Sequence, residues 1–390
     1  MTASARTESL LGDRTPGFAA HLARAGEIPW RGGPGRLVAD LETAGLTGRG
    51  GAGFPAWRKA ATALTGRDPV VVANGAEGEP LSRKDATLLR DNPHTVLDGL
   101  QLVAEAVGAT RAYLYGRVSE AVLAERRAHD RVPVTITAAR ERFVAGEESA
   151  VIAAIEGRRN PLPRFRVQPA PVSGVDGRPT VVHNVETLAH VAMIARHGPS
   201  WFRRTGTADE PGTFLATISG SVAAPGVYEV PMGIPLDELL ALAGGRGDAV
   251  LIGGFHGVWA PAGPVPVSRA GLASYGGSPG AGIVHVLPAN RCPLHFAMEV
   301  TRYLAAETAG QCGPCLNGLP AIAATMAALA SGQAVGQAGT RRLEWLTGLV
   351  TGRGACHHPD GTARFVRSTL TTFAAEVRAH QHGRCARERA

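Results

Sequence analysis

Lysine is nearly missing from this 390-residue chain. Of its 40 lysines and arginines, Lys59 and Lys84 alone are lysines. Aromatic residues are sparse at 5%, and no basic run is interleaved with them, which argues against a nucleic-acid partner. No run of about 18 apolar residues occurs, so no membrane-spanning helix is expected. Met1 to Pro16 is polar and lacks the apolar core of a signal peptide, so a cytoplasmic location is expected. Five cysteines, an odd number, do not make a disulfide framework; in a reducing compartment, clustered cysteines read as metal ligands. No Gly-Lys-Ser/Thr follows a glycine run, which excludes a Walker-A phosphate loop. There is no internal repeat and no low-complexity tract. The net charge of +7 and pI near 9.6 reflect arginine use and also suit an acidic partner.

Glycine, by contrast, is abundant, with 50 residues. Four fall in six positions in Gly48-Arg49-Gly50-Gly51-Ala52-Gly53, followed by Phe54-Pro55-Ala56-Trp57-Arg58-Lys59. Such a run lets the backbone approach a ligand and turn its N–H groups toward it. Pro55 suits the first position of a helix, which is expected to run to Leu64 and stop at Gly66. A glycine loop feeding a helix N-terminus is an anion site, and Lys59 adds a cation. A tight turn without a ligand is the competing explanation. Gly48, Gly50 and Gly53 match the dinucleotide spacing G-x-G-x-x-G, but Leu37 to Ala44 before them reads as a helix rather than the required strand.

At 390 residues the chain exceeds one ordinary core, and two or three domains are expected. Hydrophobic content of 44% and charged content of 19% fit a globular protein. Strands are expected at Val70 to Ala73, Arg111 to Tyr115 and Val132 to Ala138. Helices are expected at Asp85 to Arg90, Val96 to Val107, Glu120 to Ala128, Ser149 to Glu156 and Val185 to Ala195, the last capped by Asn184. This alternation predicts an α/β domain over 1–204 with a largely parallel sheet. Arg204 to Gly212 marks a boundary. Strands at Thr213 to Gly220, Val227 to Val230 and Val250 to Phe255, with a helix at Pro235 to Ala243, predict a small α+β module over 205–290. From Cys292 on, helices at Val300 to Ala306, Leu319 to Ala330, Arg341 to Thr351 and Thr362 to His380 predict a helical bundle over 291–390.

Cys312-Gly313-Pro314-Cys315 falls at the turn before a helix, and Cys356 follows after 40 intervening residues. Such clustered cysteines read as metal ligands; a C-x-x-C redox pair would need a βαβ context that is missing. Cys292 is expected to be a core cysteine.

Three stretches carry a family resemblance. Gly45-Leu46-Thr47-Gly48-Arg49-Gly50-Gly51-Ala52-Gly53-Phe54-Pro55 resembles the FMN-binding loop of the NADH-oxidising flavoprotein subunit of respiratory complex I. Flavin subunits of NAD-linked hydrogenases and formate dehydrogenases belong to the same family. Gly146-Glu147-Glu148-Ser149-Ala150 with Ile155-Glu156-Gly157-Arg158-Arg159 is the second stretch, and Gly177-Arg178-Pro179-Thr180 leading into Val181-Val182-His183-Asn184-Val185-Glu186-Thr187-Leu188 the third. The resemblance covers about Gly45 to His358, and three ordered motifs are more specific than one. It implies an FMN domain, a β-grasp insert of the soluble-ligand-binding type over the middle module, and an iron–sulfur bundle.

The resemblance also implies roles. Gly48, Arg49, Gly50, Gly51, Gly53, Phe54 and Lys59 would hold the FMN. Asn74, Glu77 and Glu79, in Asn74-Gly75-Ala76-Glu77-Gly78-Glu79-Pro80, would lie by the flavin and the nucleotide. Ala76 departs from the family Asp and is closer to the C subunit of Rnf complexes, whose paired four-cysteine motifs are absent here. Gly146, Glu147 and Glu148 would serve the NADH ribose, although helix capping alone accounts for the two carboxylates. Arg166 aligns with a lysine that faces the nucleotide, and Asn184 and Thr187 with residues near the flavin. Thr62 and Pro169 stand near the positions of aromatics that stack on adenine. In the cluster motif, Ala309 occupies the place of the first cysteine. Cys312, Cys315 and Cys356 remain in register, and His357, His358 or Cys385 are candidates for a fourth ligand.

The expected function is FMN-dependent oxidation of NADH or NADPH, with electrons passing through a possible [4Fe–4S] cluster to a ferredoxin-like or quinone-linked acceptor. The alternative is a degenerate flavoprotein scaffold that docks a redox partner.

Overall fold

A computed structural model describes residues 9–165, 168–333 and 337–385. Two helices, α1 (Phe18–Ala25) and α2 (Arg36–Ala44), precede the glycine loop, and α3 (Ala56–Leu64) follows it. Then come β1 (Val70–Asn74), α4 (Lys84–Asp91), α5 (Pro93–Val107), β2 (Arg111–Tyr115), α6 (Glu120–Arg126), β3 (Val134–Thr137), α7 (Glu148–Ile155), β4 (Thr180–Asn184) and α8 (Val185–His197). The four strands form one parallel sheet in the order β3-β2-β1-β4. Val70, Val71 and Val72 of β1 are buried between flanking elements, as a continuous apolar run in a parallel strand should be. Each such side chain contributes roughly 1.5–3 kcal/mol.

Two local expectations at α3 are corrected. Pro55 is the residue before the helix (φ −56°, ψ 122°) rather than its first turn. Gly66 is not in the left-handed region. It is small because Pro179 packs on it, and a Cβ there would lie 2.2 Å from the proline Cγ.

A second, mixed sheet of five strands runs β6-β5-β9-β7-β8. Its members are β5 (Thr213–Gly220), β6 (Gly226–Pro231), β7 (Ala249–Ile252), β8 (Val258–Pro261) and β9 (Ile283–Val286), with α9 (Leu236–Leu242) against it. The sequence pattern does not mark β8 and β9, which are four residues each and lie among glycines and prolines. The third part is helical: α10 (Pro293–Ala306), α11 (Leu319–Ala330), α12 (Ala338–Val350), α13 (His358–Thr372) and α14 (Ala374–Gln381). The single long helix expected over 362–380 is two, broken at Phe373 (φ −106°, ψ 35°). Trp259 of β8 joins this bundle to the second sheet, its indole N–H donating to Thr369 Oγ1 at 3.0 Å. Among the described residues, no helix is long and apolar enough to cross a membrane.

Candidate functional site

The order of the first sheet reverses between β1 and β4, and ligands of open α/β sheets bind outside the strand C-termini at such a point. There β1 ends at Asn74 and β4 at Asn184, paired with each other in register. Asn74 accepts from Ala76 N at 3.1 Å through Oδ1 and donates to Gly146 O at 2.9 Å through Nδ2. Asn184 caps α8 by accepting from Glu186 N at 3.0 Å, as expected, and its Nδ2 donates to Asp85 Oδ2 at 2.7 Å.

The glycine loop closes one side of this crevice. Gly48 N donates to Phe54 O at 2.9 Å, and Thr47 bridges to Pro55. Gly50 lies on Asn184, where a Cβ would stand 3.3 Å from that of the asparagine. Gly51 has φ +109° and Gly53 φ +60°. A Cβ on Gly53 would also overlap the Arg269 guanidinium. Thr187 Oγ1 accepts from Arg49 N at 2.9 Å and so anchors the loop on α8. The Arg49 guanidinium is buried and donates to the carbonyls of Thr47, Pro211 and Thr213 and to Thr47 Oγ1. It ties the loop to the second sheet; burial lowers its pKa, against the pull of Glu186 and Glu210. At the far end of the loop, Lys59 Nζ donates to Glu148 Oε1 at 2.6 Å and to Val182 O at 3.1 Å. The two residues expected to serve FMN and NADH thus meet directly.

The crevice is a cavity of about 290 Å³ lined by Gly50, Asn74, Glu79, Gly146, Glu147, Asn184 and Cys356 among others. Glu79 is its most distinctive acid. Phe255 N donates to its Oε2 at 3.0 Å, while Oε1 is buried without a partner. Burial pushes its carboxyl up to about 7, with the Phe255 N–H opposing. Glu77 also lines the cavity, but its carboxylate caps α4, accepting from Asp85 N and Ala86 N, each at 3.1 Å. Glu147 caps α7 by accepting from Ser149 N at 2.9 Å and Ala150 N at 3.2 Å, and burial raises its pKa. Glu147 fits the capping account, Glu148 pairs with Lys59, and the Glu77 cap was not expected.

Lys84, Asp85 and His256 line the cavity and escaped the sequence analysis. Lys84, fully buried, pairs with Asp85 Oδ1 at 2.6 Å and Glu186 Oε2 at 2.9 Å. Burial depresses its ammonium, and the two carboxylates more than restore it, so that its pKa is raised. Asp85 is pushed up to about 6 by burial. The rarity of lysine was the available signal. His358 Nε2 donates to Leu304 O at 2.8 Å, so its Nδ1 accepts from His256 Nε2 at 3.1 Å. Burial lowers both pKa values. His183 is buried against Lys59 and held neutral, its pKa pushed down to about 3 by burial. Arg166 lies outside the described residues, and Phe54 is half exposed at 47%.

Cys312, Cys315 and Cys356 come together. Burial, then Cys312 and Cys356, push the Cys315 thiol up to about 12, with a backbone N–H of Ala309 opposing. The backbone of Ala309 thus reaches Cys315, which puts this residue next to the thiols. Burial raises Cys312, but the N–H groups of Ala355 and Cys315 outweigh it and lower the thiol. Burial raises Cys356, and Glu147 adds to the rise. The candidates for a fourth ligand divide. His358 is engaged with His256 and Leu304, Cys385 groups instead with Cys292, Glu376 and His380, and His357 is fully exposed.

Comparison with known proteins gives three matches along the chain. Residues 41–193 match the Nuo51 FMN-binding domain. Residues 215–251 match the SLBB domain, and residues 295–380 the NADH-ubiquinone oxidoreductase-F iron-sulfur binding region. An F subunit (F 2) of NADH-quinone oxidoreductase from Rhizobium meliloti (strain 1021) is 33% identical over 90% of this chain and 90% of its own. The chain belongs to the family of NADH-quinone oxidoreductase F subunits.

Other relatives include the F subunit of Streptomyces coelicolor, 31% identical over 90% of this chain and 84% of its own. The NADP-reducing hydrogenase subunit HndC of Solidesulfovibrio fructosivorans is 31% identical over 89% and 76%. The solved NAD⁺-reducing [NiFe]-hydrogenase in the H₂-reduced state matches with a TM-score of 0.80 and 32% identity, over 88% of this chain and 62% of that one. The chain is an NADH-oxidising subunit of this family, with FMN, NADH and a [4Fe–4S] centre as its cofactor set. The residues fit the flavin: the crevice offers backbone without a side chain at Gly50 and a buried Glu79 carboxylate oxygen without a hydrogen-bond partner. They offer the cluster three neighbouring thiols, Cys312, Cys315 and Cys356.

Proposed function

We propose that the crevice between β1 and β4 is the site where NADH is oxidised, and that electrons leave it through the cysteines on its wall. The observation that carries this is a single cavity lined both by Gly50, Asn74 and Asn184 and by Cys356. FMN, when bound, supplies a hydride acceptor and the change from two-electron to one-electron transfer. Gly48, Gly50, Gly51, Gly53 and Phe54 would cradle it, with the Arg49 strut, Asn74, Asn184 and Thr187 fixing the loop and strand ends. Lys59 would neutralise the flavin phosphate and release Glu148 toward the ribose. Glu79, Glu148 and Arg166 would bind the nucleotide, while Glu77, Gly146 and Glu147 would shape the wall. Cys312, Cys315 and Cys356 would hold the cluster.

The division 1–204, 205–290 and 291–390 would separate flavin, docking and cluster functions. A cytoplasmic location and an acidic acceptor such as a ferredoxin complete the proposal, the latter on the net charge of +7. The test is purification followed by steady-state assays with NADH and NADPH against ferredoxin, quinone and dye acceptors. A yellow protein that reduces ferredoxin fastest supports the proposal. A colourless one that oxidises neither nucleotide rejects it in favour of a scaffold.

A further inference from the structure

Two of the five cysteines lie outside both the cavity and the stretch 295–380 that matches the iron–sulfur region. Cys292 precedes α10, and Cys385 follows the end of α14. The structure brings them to one point with Glu376 and His380, one ligand atom from each lying within 4.8 Å of the others. Glu376 and His380 are four residues apart on α14, so they share a face. Cys292, Glu376 and His380 are buried, at 3%, 7% and 3% exposure.

The distances come within a few tenths of an ångström of a coordination shell for three of the four groups. A tetrahedral zinc, with bonds of about 2.3 Å to sulfur and 2.0–2.1 Å to nitrogen or oxygen, spaces its donors roughly 3.3–3.8 Å apart. Cys292 Sγ stands 3.4 Å from His380 Nε2 and 3.9 Å from Glu376 Oε1. His380 Nε2 stands 3.1 Å from Glu376 Oε1. A histidine–glutamate hydrogen bond along one helix accounts for two of these groups. It does not account for two thiols brought to the same place from positions 292 and 385.

We infer that Cys292, Glu376, His380 and Cys385 form a structural site for a divalent metal, with zinc the best match. Two thiolates, an imidazole and a carboxylate suit zinc, and four protein donors leave no open position for catalysis. The need for it lies in α14. That helix has eight residues, and Val377 is the one large aliphatic among its buried side chains, beside Glu376, His380 and Gln381. Helices so short are marginal without tertiary support. The metal joins the last helix to the start of α10.

The test is elemental analysis of the full-length protein purified under reducing conditions without chelator. About one zinc per chain is expected. Cys385→Ser should lose it with iron unchanged, and Cys312→Ser should keep it and lose iron. Zinc-free wild type, zinc retained in Cys385→Ser, or a Cys292–Cys385 disulfide in the peptide map would each overturn the site. If Cys385→Ser does not fold, alkylation of wild type decides. Cys385 should react only after a chelator is added, and equal labelling with and without chelator rejects the metal.

Discussion

Glu79 shows how one side chain reports on the whole site. Its carboxyl is raised from an ordinary 4.5 to about 7 by burial. The fold therefore binds more protons than the unfolded chain between those values, and stability falls as pH rises through that window. The loss is on the order of 3 kcal/mol by pH 7 and above. In ligand-free protein, Glu79→Gln should melt higher than wild type at pH 7.5, with the advantage gone below pH 4.5. Equal melting temperatures at both pH values would show that Glu79 is not strained by burial. Glu148 is the complementary case, exposed enough to meet a ligand and paired with Lys59 at 2.6 Å. Glu148→Ala should raise KM for NADH roughly tenfold or more while bound FMN is unchanged. Loss of flavin instead would place Glu148 on the FMN side through Lys59. Motif spacing pointed to both residues. It could not show that Glu77 folds back to cap α4 eight residues on, or that Lys84 is buried between Asp85 and Glu186, the latter brought from α8.

Elements carry the site through their ends. The apolar run of β1 and the Asn184 cap of α8 were legible as local signals, whereas β4, which pairs with β1, was not expected as a strand. Short strands were not: β8 is a four-residue partner of the neighbouring β7, and β9 gains its bonds from β7 and from β5, which is remote in sequence. The break at Phe373 was equally hidden, since an apolar period runs through it. The glycine loop is the element proposed to hold the flavin. At φ +109°, Gly51 is in a region that costs a β-branched residue on the order of 1–3 kcal/mol, and Ala281 N lies 3.7 Å from where a Cβ would be. Gly51→Val should give folded, flavin-free protein, read from its visible spectrum and circular dichroism. Full flavin content in the folded variant would sink the loop assignment.

At the scale of the molecule, three units meet on one cavity: the parallel sheet gives Asn74 and Asn184, the second sheet His256, and the bundle Cys356. The three cysteines were readable from the family motif, but the other grouping of Cys292 with Cys385 was not, since it joins positions far apart in sequence, before α10 and after α14. Anaerobic preparations should hold iron and sulfide at about four each per chain. With Ala309 beside Cys315, the cluster should be lost in air faster than in Ala309→Cys, followed by bleaching of its absorbance. Equal lifetimes would mean that the fourth iron is held by another group.

The central claim is that one cavity takes electrons from NADH and delivers them to the bundle cysteines. An anaerobic titration of the purified protein with NADH, followed by visible and electron paramagnetic resonance spectra, tests it most directly. Loss of the flavin absorbance together with a reduced-cluster signal that is missing in Cys356→Ser is the predicted result. Flavin absorbance that neither NADH nor NADPH diminishes would contradict it.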